Sequence, residues 1–467
     1  MIIDCQQLLP QTRTCPGGLM TISLIRIAGL PEAEGFLQRL AARHNPAPAR
    51  QSGDDAEAAP STESVVAGIL EDVRARGLEA VVEYTRRFDS PGFAPVLFTV
   101  PAAELAAALR DVPAEDLAVI KEAADNIRAF HEAQKEQSWF LPRPDGAVLG
   151  QMVRPVDRAG LYVPGGKGGS TPLISSLLMN AIPAQVAGVP EIAVISPPRP
   201  DGTVNPHILA AAHLLGITEV HAAGSAWAVA ALAYGAGPLR PVDVIAGPGN
   251  IFVATAKRLL IGTVGIDMIA GPSEICVIAD DSANPDWVAA DMLSQAEHDS
   301  LASSVCICTD ENLAAAVARS LERQCAGLPR ADIARESLEQ YGAIIVVPDM
   351  DTALTLANRI APEHLELLTR EPWNLLPRIR HAGAVFMGHY SPEPLGDYFA
   401  GPNHVLPTMG TARFSSALSV ATFCKKTSII AASREFAVAG AASIARLARL
   451  EGLEAHARSA LCRTGAP

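Results

Sequence analysis

The sequence predicts an α/β protein made of two Rossmann-like parallel-sheet domains, with a helical region before them and a helical tail after them. Three observations predict this class. From Ala159 onward, short apolar runs alternate with segments that can form helices, which is typical of parallel strands joined by crossover helices. A second series of this kind begins at Ser273. Apolar residues at helical spacing precede the first series, and an Ala-rich stretch follows the second.

The beginning of the chain, residues 1–60, is predicted to contain an extension, a first helix and a linker. Residues 1–20 lack a basic segment followed by an apolar core, so we expect an extension rather than a signal peptide, with Met20 as an alternative start. The segment NPAPARQSGDDAEAAPS, at 45–61, is rich in Pro, Ala, Asp and Ser and has no apolar period. It is predicted to be a mobile linker.

The helical region, residues 61–152, is predicted to pack on the second α/β domain. Its apolar residues recur at roughly helical spacing between Val66 and Val82, and 105–139 continues the pattern with charges between them. The first α/β domain is expected at 153–270, on the cofactor side. Its predicted strands are GLYVPGG, EIAVISP, TEVHAAG and VDVIAGPG, separated by helical segments such as SAWAVAALAYG.

The second α/β domain is expected at 271–414 and is predicted to carry the metal and the catalytic residues. EICVIAD, SSVCICT and GAIIVVP are its predicted strands, and NPDWVAADMLSQAEHD is a predicted helix. Residues 415–467 are Ala-rich and predicted to be helical, a tail too short to form a domain alone.

Composition excludes several classes of protein. No uninterrupted apolar stretch of membrane-spanning length is free of charge, Gly or Pro, so we expect a soluble protein without a membrane partner. The net charge of -13, with both signs mixed along the chain, disfavours a nucleic-acid partner. Eight cysteines without a CxxC pair predict reduced thiols and a cytoplasmic location. Cys306 and Cys308, two apart, are predicted to pack on one face of a strand.

The motif LSQAEHD contains a candidate pair of metal ligands. Gln295 and His298 stand at i and i+3 on the predicted helix, so both side chains lie on one face and could bind one metal ion. Taken alone, residues of these types at this spacing are more often surface groups or satisfied core groups.

The motif APEHLEL contains a candidate pair for proton transfer. Pro362 suits the first turn of a helix, which would place Glu363 and His364 where the helix dipole favours negative charge and keeps Glu363 ionised. A carboxylate base beside an imidazole can move protons around a carbon centre. The alternative is an acidic first turn with a neighbouring histidine.

Further candidates lie in glycine-rich segments. GDYFAGPNHVLPT places Asp397 and His404 in a predicted loop that rigid elements could position, although loop carboxylates are usually only solvated. Two turns, VPGGKGG around Gly165 and AGPGN ending at Asn250, each lie between a predicted strand and helix, where backbone N–H groups can receive phosphate. Neither is GxGxxG, and ordinary tight turns would explain them equally well.

Five motifs taken together, AGPSE, LSQAEHD, APEHLEL, GDYFAGPNHVLPT and LEGLEAH, resemble the histidinol dehydrogenase family in order and spacing. The resemblance extends from about Ala159 to His456. It implies an oxidoreductase of histidine biosynthesis that uses Zn2+ and NAD to oxidise L-histidinol, through L-histidinaldehyde, to L-histidine. It also implies a homodimer with shared active sites, because the family's C-terminal tail reaches into the neighbouring subunit.

The resemblance also implies residue roles. Zinc ligands fall on Gln295, His298, Asp397 and His456, and catalytic residues on Glu363 and His364. Substrate contacts fall on Ser273, Gln295, His298, His364, Asp397, His404, Glu451 and His456. Cofactor contacts fall on Tyr162 and Asn250, and a third on Trp227, where the family pattern has a glutamine. An indole cannot accept a hydrogen bond, so this departure affects the expected geometry of cofactor binding.

The implied mechanism has two half-reactions. His364 would take the alcohol proton while a hydride leaves for NAD, and Glu363 would then activate the water that attacks the aldehyde. No cysteine falls within the substrate motifs, which predicts a non-covalent second step.

Three alternatives remain open at this point. The first is a related zinc and NAD dehydrogenase of another small alcohol such as a sulfopropanediol, although a carboxylate such as Glu451 suits a substrate ammonium better than a sulfonate. The second is a zinc hydrolase, since a metal, a carboxylate and a histidine would also activate water against an amide. The third is a catalytically silent nucleotide-binding or scaffold protein.

Overall fold

The computed structural model describes residues 22–27, 30–43, 61–166, 169 and 171–465. The extension expected at 1–20 and nearly all of the linker expected at 45–61 lie outside the described residues.

The described chain begins with a strand and a helix, and four helices follow. Ser61 precedes the first of these four helices and caps it, because its hydroxyl accepts from the backbone N–H of Ser64. The elements are β1 (Ser23–Arg26), α1 (Glu34–Ala42), α2 (Thr62–Arg76), α3 (Leu78–Phe88), α4 (Ala102–Asp111) and α5 (Ala114–Glu132).

The first α/β domain has a parallel sheet of five strands in the order β6-β5-β4-β7-β8. Two exposed or half-exposed strands precede it. In chain order the elements are β2 (Trp139–Pro142), β3 (Val148–Pro155), β4 (Arg158–Tyr162), α6 (Ile174–Ala187), β5 (Glu191–Ser196), α7 (Pro206–Leu214), β6 (Glu219–Ala222), α8 (Ser225–Tyr234), β7 (Val244–Ala246), α9 (Ile251–Leu259) and β8 (Gly265–Ile266).

The second α/β domain has a parallel sheet of six strands in the order β1-β11-β10-β9-β12-β13. Its elements are β9 (Glu274–Ala279), α10 (Pro285–Ala296), β10 (Ser303–Cys308), α11 (Glu311–Cys325), α12 (Ala331–Tyr341), β11 (Ala343–Val346), α13 (Met350–Ile360), β12 (His364–Leu368), α14 (Pro372–Leu375), β13 (Ala384–Met387) and α15 (Glu393–Tyr398). The mixed α/β class with two parallel sheets is thus confirmed.

The C-terminal part contains a strand as well as helices: β14 (Cys424–Ala431), α16 (Arg434–Leu450) and α17 (Glu454–Leu461). β14 pairs antiparallel with β3, and β3 with β2, in a third sheet. The expectation of helix throughout 415–467 is therefore wrong at β14, where Thr427, Ile429 and Ile430 are β-branched and favour a strand. Short 3-10 turns lie at Leu30–Ala33, Pro95–Leu97, Leu376–Arg378, Thr411–Arg413, Val420–Phe423 and Cys462–Thr464.

Helices α2–α5 pack on the first α/β domain, not on the second as expected for residues 61–152. The reason lies in α8, whose sequence SAWAVAALAY is apolar almost all round. Its interior residues are buried on every side, and a helix of that kind must be covered on both faces. The sheet covers one face, and α2 and α3 cover the other.

The second sheet separates two apolar clusters, one on each face. Cys306 and Cys308 belong to one cluster, whereas their neighbours Val305 and Ile307 belong to the other. The two cysteines therefore pack on one face of β10, as the sequence predicts. No helix in the described part of the chain is long and apolar enough to span a membrane.

Candidate active site

Glu363 and His364 lie where strand β12 begins, at the amino edge of the second sheet. Helix α13 ends at Ile360, and Ala361 closes it in a left-handed conformation with a φ of 53°. The helix expected after Pro362 is therefore absent from the described chain. The run HLELL forms a buried strand between β9 and β13 instead, because its apolar residues face both layers of the domain.

One residue of β9, Glu274, orients both side chains through its backbone N–H and C=O groups. The backbone N–H of Glu274 donates to Oε2 of Glu363 at 2.8 Å, and Nδ1 of His364 donates to the carbonyl oxygen of Glu274 at 2.9 Å. Because a carbonyl can only accept, the proton of neutral His364 resides on Nδ1. Nε2 of His364 is then the basic atom of the pair.

The two groups hold their protons more tightly than usual. Burial raises the pKa of Glu363 to about 8, above the ordinary range of a carboxyl group. Burial opposes the charged form of His364, but the carboxylates of Glu363 and Asp397 outweigh it and raise the pKa of His364 to about 10. The pKa values of Glu363 and His364 both depend on the neighbouring charges. A cation bound at Asp397 would therefore lower the pKa of His364, because it would neutralise the carboxylate that raises it.

Asp397 lies in the short helix α15 rather than in the loop expected for it. One turn earlier is Glu393, so the two carboxylates share a face of α15. Nε2 of His364 lies 3.8 Å from Oδ1 of Asp397 and 3.9 Å from Oε1 of Glu393. These three side chains offer ligand atoms that all lie within 4.8 Å of one another. Burial opposes ionisation of Asp397, but His364 and His404 hold its pKa at about 2.

Gln295 lies in the last turn of α10, and His298 follows two residues after that helix ends. Gln295 is buried, and His298 is exposed in the single chain. Nδ1 of His298 donates to the carbonyl oxygen of Ser294, which leaves Nε2 available. The hydroxyl of Ser294 donates to Oε2 of Glu393 at 3.1 Å, so the end of α10 contacts α15.

His404 lies in a loop that contacts both α/β domains. Nδ1 of His404 donates to the carbonyl oxygen of Asp397 at 3.0 Å. The neighbouring Asn403 donates from Nδ2 to the carbonyl oxygen of Met179 in α6 at 2.6 Å. Burial lowers the pKa of His404, so this imidazole is neutral near pH 7 and its Nε2 can accept a hydrogen bond.

Several buried polar atoms at this site have no hydrogen-bond partner among the described residues. They are Oε1 and Nε2 of Gln295, Nε2 of His364 and Oε1 of Glu393. An unsatisfied buried polar group costs roughly 1–3 kcal/mol, so a fold rarely keeps several together without a ligand. Amide and carboxylate oxygens with imidazole nitrogens are donors that a divalent transition metal accepts. The residues present therefore fit a bound metal ion.

Sequence reasoning missed several acidic residues here. Glu393 completes the carboxylate pair of α15, and Glu366 accepts from the backbone N–H of Glu393 at 2.8 Å. Burial and the nearby Asp291 raise the pKa of Glu366 well above its ordinary value. The i, i+4 spacing in EPLGD could have shown that Glu393 and Asp397 share a face. Glu366 could have been recognised as well, because a carboxylate within the apolar run HLELL indicates a buried, paired charge.

The two glycine-rich turns lie after β4 and β7, at the carboxyl edge of the first sheet. Asn250 caps α9, because its Oδ1 accepts from the N–H groups of Phe252 and Val253. Gly247 has a φ of 125°, and a Cβ there would lie 2.0 Å from the carbonyl oxygen of Tyr162. This close approach requires glycine. Tyr162 is buried, with its hydroxyl accepting from the N–H of Ser225 at 3.2 Å.

Trp227 packs inside the protein. Its ring stacks on Tyr84 and Phe88 of α3, with centroids 5.8 and 5.5 Å away. Its Nε1 donates to the hydroxyl of Thr85 at 3.2 Å. The indole therefore joins α8 to α3, and its single donor is already used.

Ser273 directly precedes β9 and is the neighbour of Glu274, whose backbone orients Glu363 and His364. Glu451 and His456 lie apart, at the end of α16 and in α17. Both side chains are exposed, and neither makes a hydrogen bond or ion pair with any residue that the structure describes. Within one chain, the structure thus brings together Glu363, His364, Asp397 and His404 but not Glu451 and His456.

Comparisons with known proteins agree on one family. Residues 52–464 match the family model described as histidinol dehydrogenase. A histidinol dehydrogenase of Nitratidesulfovibrio vulgaris is 68% identical over 91% of this chain and 94% of its own length. One of Oleidesulfovibrio alaskensis is 65% identical over 85% of this chain and 92% of its own length. The crystal structure of histidinol dehydrogenase from Elizabethkingia anophelis is similar with a TM-score of 0.86 and 35% identity, covering 96% of this chain and 99% of that one.

Proposed function

The chain belongs to the histidinol dehydrogenase family, and from this premise we propose that it oxidises L-histidinol, through L-histidinaldehyde, to L-histidine with NAD as the oxidant and zinc as the metal. The observation that carries the proposal is the arrangement of His364. Its Nδ1 is held by a carbonyl, while Nε2 lies open beside the carboxylates of Asp397 and Glu393.

Gln295, His298 and Asp397 would hold the metal, together with His456 of the partner subunit. Support comes from the buried amide of Gln295, whose oxygen and nitrogen have no partner among the described residues. The open Nε2 of His298 supports it too. A bound zinc ion would hold the imidazole and amino nitrogens of histidinol and fix the orientation of the reacting carbon.

In the first oxidation, His364 takes the proton of the substrate hydroxyl on Nε2. Its Nδ1 hydrogen bond to the Glu274 carbonyl fixes the ring and the tautomer that this role needs. NAD, when bound, would supply the oxidising power, with one molecule for the alcohol and a second for the hydrated aldehyde.

In the second oxidation, Glu363 takes a proton from the water that attacks the aldehyde. The N–H of Glu274 directs the Glu363 carboxyl group, and burial makes that group a stronger base than an exposed glutamate. The described cysteines of the second sheet are buried in its two apolar clusters. In this proposal the nucleophile is water and no covalent thioester forms.

The remaining contacts are assigned by the same proposal. Ser273, His404 and Glu451 would contact the substrate, and Glu451 would come from the partner tail. Tyr162 and Asn250 would contact the cofactor, because their turns leave the carboxyl edge of the first sheet. In this division, 153–270 is the cofactor domain and 271–414 carries the metal and the catalytic groups.

A homodimer with exchanged tails completes the site. The tail exposes a series of large apolar side chains, which a second copy of the chain would cover: Val438, Ile444, Leu447, Leu450 and Leu453. His298 is exposed on the single chain, so the metal site is open where such a tail would bind. The free cysteines in the described chain fit a reducing cytoplasm.

The test is the stoichiometry of NAD reduction. Purified protein incubated with limiting L-histidinol and excess NAD is expected to form roughly two equivalents of NADH per histidinol consumed. Dihydroxypropanesulfonate serves as the comparison substrate. Preferential NAD reduction by the sulfonate, or one equivalent of NADH with the aldehyde released, would contradict the proposed reaction.

A further inference from the structure

We propose that Arg43 is a positioning residue for the catalytic pair and acts through Glu274. Arg43 ends the first described helix and lies before residue 52, where the family match begins. The side chain of Glu274 has no role in the proposed chemistry, but the backbone N–H and C=O of this residue hold Glu363 and His364. The inference rests on the proposed function of those two residues.

The contact between Arg43 and Glu274 is a buried ion pair. Their side chains are 2% and 4% exposed, and Nη2 of Arg43 donates to Oε1 of Glu274. A buried charge is tolerated only where its partner and its other hydrogen bonds are in place. Removing either side chain would therefore release the other from its position.

All three nitrogens of the Arg43 guanidinium have acceptors. Nε donates to the carbonyl oxygen of Leu40 at 3.2 Å, and Nη1 donates to that of Leu301 at 3.1 Å. The guanidinium also lies over the ring of Tyr341, 5.5 Å from its centroid. The guanidinium therefore links α1, the loop before β10 and α12 to the Glu274 carboxylate. A lysine ammonium group lacks the planar, forked arrangement of donors that these contacts use.

Glu274 is fixed on its other side as well. Its Oε2 accepts from the backbone N–H of Met409 at 3.0 Å. The side chain is thus held at both oxygens, and it fixes the rotation of the residue whose backbone N–H and C=O contact Glu363 and His364.

These contacts give the segment that contains β1, α1 and Arg43 a role in the site. Strand β1 adds to the far edge of the second sheet, where it pairs with β11. Helix α1 follows, and Arg43 at its end reaches Glu274 at the start of β9, inside the same sheet. The segment thus braces the residue whose backbone holds the proton-transfer residues.

The test compares Arg43→Met and Arg43→Lys with the parent enzyme in oxidation of histidinol and of histidinaldehyde. Arg43→Met is expected to lower kcat for both substrates by about 100-fold with KM nearly unchanged, because a displacement of about 1 Å at a catalytic group has that effect. Arg43→Lys keeps the positive charge but not the planar set of guanidinium donors. Its kcat is expected to be about tenfold higher than that of Arg43→Met. Zinc content should equal that of the parent.

Arg39→Met is the matched control, since Arg39 lies one turn earlier on the same helix and is exposed. It removes the same charge and should leave kcat unchanged. A folded Arg43→Met enzyme with kcat within about twofold of the parent would overturn the inference. Should Arg43→Met fail to fold, full activity of Arg43→Lys would overturn it, and so would a loss explained wholly by lost zinc. A parent enzyme that does not oxidise histidinol would instead refute the proposed function.

Discussion

Glu363 and His364 are adjacent in sequence, are both held by the backbone of Glu274 and have different proposed tasks. His364 acts on the alcohol, and Glu363 acts on the water of the second step. Because Glu363 lies 3.7 Å from Nδ1 of His364, its charge also influences the imidazole. A substitution that preserves shape can separate the two tasks.

Glu363→Gln is predicted to slow the second oxidation far more than the first. The amide keeps the shape of the side chain and an acceptor for the Glu274 N–H, but it cannot take a proton from water. Loss of a general base typically costs about 10²–10⁴-fold. Single-turnover measurements of histidinol and histidinaldehyde oxidation would give the two rates. An equal fall in both would show that Glu363 is not the water-activating base.

The pH dependence of histidinaldehyde oxidation should report the same group. Glu363 accepts a proton only as a carboxylate, and burial raises its pKa to about 8. The rate is therefore predicted to fall as the pH drops through about 8 in the parent enzyme. In Glu363→Gln this limb should disappear. A limb that persists unchanged in the variant would assign the titration to another group.

Some residues of the site were predictable from sequence and others were not. The motifs identified Glu363, His364, Asp397 and His404, which the fold brings together. The local rule for Pro362 predicted a helix start, whereas pairing of HLELL with β9 produced a strand. A strand partner nearly ninety residues away in sequence is invisible to a local rule. Glu274 was missed because its role depends on its backbone N–H and C=O groups and on Arg43.

The same contrast holds for the secondary-structure elements. The buried parallel strands and their helices were predictable, because continuous apolar runs alternate with helical segments. Strands β2 and β14 were not, since both are largely exposed and bury no regular apolar face. β1 was also missed, because four residues pair with a strand more than three hundred positions later. Helices α2–α5 were predicted, but their partner depended on the all-apolar surface of α8.

Substitution of Trp227 tests the packing of α8 against α3. Trp227→Gln restores the residue type of the family pattern but removes the stacking on Tyr84 and Phe88 and leaves a cavity. We expect a loss of about 3–5 kcal/mol in the free energy of unfolding, with no gain in NAD affinity. Denaturant unfolding and a fluorescence titration with NAD would measure the two quantities.

Trp373→Gln is the control for this substitution, because Trp373 is 70% exposed on α14. It should change the unfolding free energy by less than about 0.5 kcal/mol. Tighter NAD binding by Trp227→Gln, with little loss of stability, would show that position 227 faces the cofactor after all.

For the whole molecule, the proposed site needs two chains. The described single chain gathers the proton-transfer residues on one domain, while Glu451 and His456 lie on an exposed apolar tail. A tail exchange would cover that apolar surface and bring a fourth ligand to the metal. No local pattern in the sequence could predict this. Only the family resemblance implied it.

Shared sites predict complementation between two inactive variants. In a mixed dimer of His456→Ala and Glu363→Gln, one site receives Glu363 from the first chain and His456 from the second. Coexpression with random pairing is predicted to restore about a quarter of the parent activity. Each variant alone should stay inactive in the complete reaction. Mixed dimers without activity would mean that each site is built from one chain.

The central claim is that Gln295, His298 and Asp397 meet one zinc ion together with His456 of the partner subunit. The most direct measurement is an anomalous difference map at the zinc absorption edge, from crystals of the purified dimer. The account predicts one peak per subunit, within about 2.2 Å of a donor atom from each of these four residues. A peak held instead by His364, Glu393 and Asp397, remote from Gln295 and His298, would contradict it.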